Sequence, residues 1–155
     1  MKKLFFTVIV FLSLSNLIAG DIKQQKNLAV KYVTKDFRNC FTLSLPPDWV
    51  IKEKYPYKGL SWEVWGDDII LIIDLDTSKI PQMPPSNKLL YWVNRSILNG
   101  HEAKFWKPRP NKGGTITGVE VDNVCEGRIL WIFSWNLTPE LQEKVMNIIK
   151  TIKFK

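Results

Sequence analysis

The chain's single histidine, His101, is followed by Glu102, a pair able to ligate a metal or take up a proton. A lone imidazole with no second histidine, and no cysteine at ligand spacing, falls short of a zinc site. Asp74 and Asp76, with Asp67 and Asp68 nearby, form a second cluster. Alternation at a strand end would put Asp74 and Asp76 on one side, close enough for a cation or for paired acid–base work. No glycine-bearing calcium loop accompanies them, and polar termination of a hydrophobic strand is the simpler account of them. A hydrolase joining His101 to Asp74 or Asp76 is the one catalytic reading these residues allow. Serine chemistry lacks the nucleophile-elbow pattern and would need the same histidine. Gly113-Gly114 after Lys112 could cradle a phosphate, but no helix follows, so a hairpin turn is expected there. Neither a metal nor a cofactor is expected.

Two further residue types stand out. Cys40 and Cys125 have no Cys-x-x-Cys spacing, and two cysteines make one bridge in an oxidising compartment. A disulfide between them is therefore expected, and it would close a long loop. The seven tryptophans are the most unusual feature of the composition. Trp49 and Trp131 read as core residues. Trp62 and Trp65, three apart on one strand, must face opposite ways, so one of them should be partly exposed. Trp106 lies among Lys104, Lys107 and Arg109, a stretch that is either an exposed aromatic–basic patch or the ordinary packing of a large residue in a small domain. Such a patch suits sugar rings, peptide side chains or lipid headgroups.

The N-terminus sets the compartment. Lys2 and Lys3 precede an apolar run from Leu4 to Leu14, and residues 15–20 shorten toward small side chains. This is the order of a secretory signal peptide, here residues 1–20, and its short form suggests bacterial export to the periplasm or beyond. The alternative is retention of this segment as an anchor, since Leu17 or Ile18 occupies the outer small-residue position of the cleavage motif. No membrane-spanning segment is expected after cleavage. The whole chain of 155 residues carries a formal charge of +7, and loss of Lys2 and Lys3 leaves +5. Residues 21–155 are the size of one domain. The positive balance favours an anionic partner, either a protein or another envelope component. Nucleic acid is not expected of an exported chain.

Hydrophobic periodicity supplies the elements. Residues 28–34, 41–45, 60–65, 69–73, 102–107, 115–121 and 128–136 read as strands, with 60–65 and 69–73 paired as a hairpin. Residues 36–39 and 122–127 read as turns, and 52–58 as a charged loop. Ser86 suits an N-cap, and Leu89, Leu90, Val93 and Ile97 keep helical spacing to Gly100, which predicts a helix over 86–100. Thr138 and Pro139 open a second helix whose stripe is Leu141, Val145, Ile148, Ile149 and Ile152. The apolar runs 69–73 and 129–133 predict central strands covered on both faces. The expected fold is α+β, a mostly antiparallel sheet with helices on both faces in a three-layer sandwich.

The stretch Asp36-Phe37-Arg38-Asn39-Cys40-Phe41-Thr42-Leu43-Ser44-Leu45-Pro46-Pro47-Asp48-Trp49 resembles the opening of PsbP-like and DcrB-like domains, and the helix running into residues 149–155 resembles their end. The segments between have no counterpart. The resemblance implies an antiparallel sheet between helices and non-enzymatic work as an assembly factor, small binding module or accessory protein. It transfers no catalytic residue. The expected function is that of an exported, non-enzymatic binding or accessory protein. A hydrolase and a glycan- or envelope-binding module are the alternatives.

Overall fold

The computed structural model describes residues 31–54, 59–77 and 87–155. The leader 1–20 and the cap Ser86 lie outside these residues, as do residues 28–30 of the first predicted strand. Ten strands and one helix are described: β1 Val33–Phe37, β2 Phe41–Leu45, β3 Val50–Lys54, β4 Leu60–Gly66, β5 Ile69–Asp76, β6 Tyr91–Leu98, β7 His101–Pro108, β8 Ile116–Val124, β9 Arg128–Trp135, α1 Pro139–Ile149 and β10 Lys153–Phe154. A short 3-10 turn, Cys125–Gly127, joins β8 to β9.

β3 to β9 form one seven-stranded sheet in the order β3-β4-β5-β9-β8-β7-β6, and β1, β2 and β10 form a three-stranded sheet. Every strand pair in both is antiparallel. Alternation along each strand divides the large sheet into two faces. One face presents Trp62, Val64, Leu71, Ile73, Leu75, Leu130, Ile132, Val119 and Val121, all buried. They pack with Val145, Ile148 and Ile149 of α1 and with Phe41, Leu43 and Leu45 of the small sheet in a single core. The helix begins where the sequence says it should. Thr138 Oγ1 accepts from the Leu141 amide at 3.3 Å, and Pro139 takes the first helical position.

The predicted helix over 86–100 is a strand instead. β6 pairs with β7 through eight consecutive residues, from Tyr91↔Pro108 to Leu98↔His101. Asn99 and Gly100 join them with φ of 47° and 90°. Two positive φ values at an Asn-Gly pair make the tight turn that suits the twist of a hairpin. Gly100 therefore reverses a hairpin where a helix stop was expected. Ile97, taken as part of a helical stripe, is 64% exposed.

With that helix gone, the two-sided sandwich goes too. The fold is α+β and predominantly antiparallel, but its one described helix and the small sheet share a single face of the large sheet. β9 remains buried on both faces for another reason. On the far side Trp131 and Phe133 bury each other with Trp106, packed by Ile72, Val93, Ile116 and Ile129. Gly118 makes this possible, since it stands in register between Trp106 and Phe133. A Cβ there would come within 2.7 Å of Phe133 Cβ. Large side chains on neighbouring strands thus do what a covering helix was expected to do.

Cys40 and Cys125 are bridged, with their α-carbons 5.1 Å apart. The bond ties the turn after β1, on the small sheet, to the turn after β8, on the large one. The loop it closes spans 85 residues, for which the chain-entropy account gives on the order of 4–5 kcal/mol. The double variant Cys40→Ser, Cys125→Ser is expected to lose stability of that order in urea unfolding, read as a lower midpoint. An unchanged midpoint would show that the bridge contributes nothing to the fold.

Candidate functional site

The predicted aromatic–basic patch does not assemble. Strand geometry sends alternate side chains of β7 to opposite faces, so Lys104 and Trp106 point one way and Lys107 the other. Trp106 is 1% exposed, inside the aromatic cluster, so its ring face is not available to a ligand. Lys107 reaches α1 and pairs with Glu143. Arg109 turns back onto β6, where its Nε donates to the carbonyls of Lys88 at 3.0 Å and Tyr91 at 3.3 Å. The cation–ring contact in this region belongs to another tryptophan: the Arg109 guanidinium lies 5.7 Å from the Trp92 ring.

The hydrolase constellation does not assemble either. His101 starts β7 on the core-facing side, its ring 4.3 Å from that of Phe154. Asp74 sits on β5, in register with Trp131 on the opposite face. β9 and β8 lie between those two strands. Asp74 and Asp76 do share a side, as alternation requires. Among the described residues no group of three His, Cys, Asp or Glu side chains is placed to hold a metal ion. No helix among them is long and apolar enough to cross a membrane.

The far face of the large sheet holds what the sequence did not reveal. Register places Val50 beside Trp65 and Trp65 beside Ile70. The pair Ile72↔Phe133 sets Ile70 next to Trp135, and Trp135 pairs with Ile116. The result is one apolar row across five strands. At the usual spacing between strands it is about 19 Å long. Val50 is 55% exposed, Trp65 38%, Ile70 37% and Trp135 44%. Trp62, three residues before Trp65, is buried under the small sheet, as the opposite-face expectation required.

Neighbouring side chains orient the two exposed indoles. Trp65 Nε1 donates to Glu63 at 3.2 Å, and Lys52 Nζ stands 4.7 Å from the ring centre. Trp135 meets Phe133 edge to face at 4.9 Å and so rests on the buried cluster. At the same end of the sheet, Asp67 bonds Lys144 and accepts from Trp49 Nε1 at 2.9 Å. Those two hydrogen bonds hold its carboxyl below the ordinary aspartate value.

Further down this face the character changes from apolar to charged. A cleft of about 460 Å³ is lined by Arg95, Ile97, Glu102, Lys104, Glu120 and Asp122. Asp74, in the same cross-strand row as Glu120 with Trp131 between them, is half-buried. Burial pushes its carboxyl above the usual value, against a hydrogen bond from Ser61, and the charge of Asp76 adds to the rise. No family model matches the chain, and no curated protein matches it.

The Asp74 shift has a definite sign. A carboxyl whose folded pKa is raised costs nothing below its ordinary value; the cost builds as pH rises from that value and is complete above the folded one. Asp74→Asn removes the charge and keeps an oxygen for Ser61. It is expected to melt above the parent protein at pH 7, with the difference closing as pH falls to the ordinary aspartate range. A variant less stable than the parent at neutral pH would contradict this.

Proposed function

We propose that the chain is an exported, non-enzymatic binding or accessory protein that works by docking the far face of its large sheet on an anionic envelope surface. The apolar row of exposed Val50, Trp65, Ile70 and Trp135, ending at the partly buried Ile116, is the observation behind this reading. A contiguous exposed apolar strip on a small soluble domain marks an interaction surface. Tryptophan beside lysine is the pairing that sits at a lipid–water boundary, its ring among the acyl carbons and its polar end in the headgroups. Lys52 stands over Trp65 to meet such headgroups, and Asp67 is neutralised within the protein. The excess of basic over acidic side chains favours the same partner. The leader-like N-terminus and the resemblance of residues 36–49 to PsbP-like and DcrB-like domains support the exported, accessory part of the reading.

The test uses protein recovered from the periplasm of an expression host and vesicles of phosphatidylglycerol with phosphatidylethanolamine. The protein is expected to sediment with these vesicles and to release as salt rises. The double variant Trp65→Ala, Trp135→Ala is expected to bind about tenfold more weakly or worse, with its disulfide and thermal transition retained. Equal binding by the variant, or capture by peptidoglycan sacculi in place of vesicles, would overturn the assignment of a lipid surface.

A further inference from the structure

The charged cleft holds one pair that strand geometry normally avoids. Arg95 stands directly opposite Lys104 on β6 and β7. Glu102 and Asp122 flank the Ala103↔Val121 pair on β7 and β8, acid beside acid. Like charges placed opposite one another on neighbouring strands repel and destabilise a sheet. The basic pair Arg95–Lys104 and the two acids, which lie where β8 departs from regular register, stand side by side in one cleft. Glu120, opposite Lys104, is 6% exposed and, among the described residues, accepts from Trp131 Nε1 at 3.2 Å. A buried carboxylate with one neutral donor needs a cation near it, and Lys104 stands in register with Glu120. None of these five side chains takes part in the ion pairs formed among the described residues. The charges are left to face the cleft.

We propose that this cleft binds a short zwitterionic peptide, with its carboxylate between Arg95 and Lys104 and its ammonium at Glu102 and Asp122. The spacing selects the length. The two pairs sit two residues apart along β7, about 7 Å on an extended strand. Two extended residues of a ligand span about the same distance, whereas the charges of a single amino acid are too close together to reach both pairs. The cleft volume of about 460 Å³ falls in the range of small-ligand sites. Ile97 gives it one apolar wall for a ligand side chain. Glu120, held by Trp131, fixes a third acid at the floor. The bound dipeptide would bring opposite charge to the basic pair and to the two acids at once. No residue is shared with the apolar row, so either site can fail without the other.

Calorimetric titration with alanyl-alanine tests the proposal, beside its N-acetyl form, its C-terminal amide and free alanine. The free dipeptide is expected to bind, and blocking either end or shortening to alanine is expected to weaken binding about tenfold or more. The variants Arg95→Gln, Lys104→Gln and Glu102→Gln, Asp122→Asn should each lose binding of the free dipeptide by a similar factor. Arg95, Glu102 and Asp122 are exposed and Lys104 half-buried, so circular dichroism melts should show these variants folded. The pair Trp65→Ala, Trp135→Ala should bind the dipeptide as the parent does. No heat from alanyl-alanine at millimolar concentration would overturn the proposal. So would equal binding of the blocked forms, or titrations unchanged by the charge substitutions.

Discussion

Phe37 and Phe41 stack at 4.9 Å, and both set themselves at right angles to Trp62, at 5.2 and 6.4 Å. This three-ring contact joins the small sheet to the large one, and much else depends on it. It brings β2 down over β4, so that Leu43 and Leu45 complete the core beside α1. It also places Cys40 where Cys125 can reach it. An antiparallel sheet with one face sealed in this way is free to present the other to solvent.

The free face is not left as a plain wet surface. Its middle is a second, smaller core, where Trp106, Trp131 and Phe133 are buried without help from the helix side. That cluster divides the face into an exposed apolar row at one end and a charged cleft at the other. Trp135 leans on the cluster from the apolar end, and Trp131 holds Glu120 from the charged end. The same aromatic group thus stiffens both candidate sites, though the two call for different ligands.

What could be read in advance depended on how local the signal was. The hairpin of β4 and β5, the helix opened by Thr138 and Pro139, and the pairing of two lone cysteines each rest on a few adjacent residues or on simple counting. β6 went unread because Leu89, Leu90, Val93 and Ile97 fit a helical spacing by accident. Asn99-Gly100 held the contrary signal, and reading Gly100 alone discarded it. The patch around Trp106 failed because nearness in sequence was taken for nearness on a surface, although a strand separates adjacent residues by face. The apolar row was beyond reach for a related reason. Its five members come from five strands, and only the register between those strands shows that they touch. The charged cleft, drawn from β6, β7 and β8, was hidden in the same way once β6 had been taken for a helix.

The C-terminal residues close onto the N-terminal ones. Lys153 and Phe154 pair with Thr42 and Phe41, and the Ser44 amide donates to Thr151 Oγ1 at 2.9 Å. Lys155 donates its amide to the Cys40 carbonyl at 3.1 Å. The side-chain amide of Asn99 reaches the Ile152 carbonyl from the β6–β7 turn. A chain delivered N-terminus first from a ribosome therefore cannot pair the outer edge of β2 until residues 153 and 154 have emerged. Contacts of such long sequence separation form late and slowly. The small sheet then acts as a clasp that is fastened once residues 153 and 154 are in place. A chain stopped a few residues short would keep the large sheet's hairpins and lose the strand that completes β2, leaving an open edge for proteases or for a neighbouring chain to find.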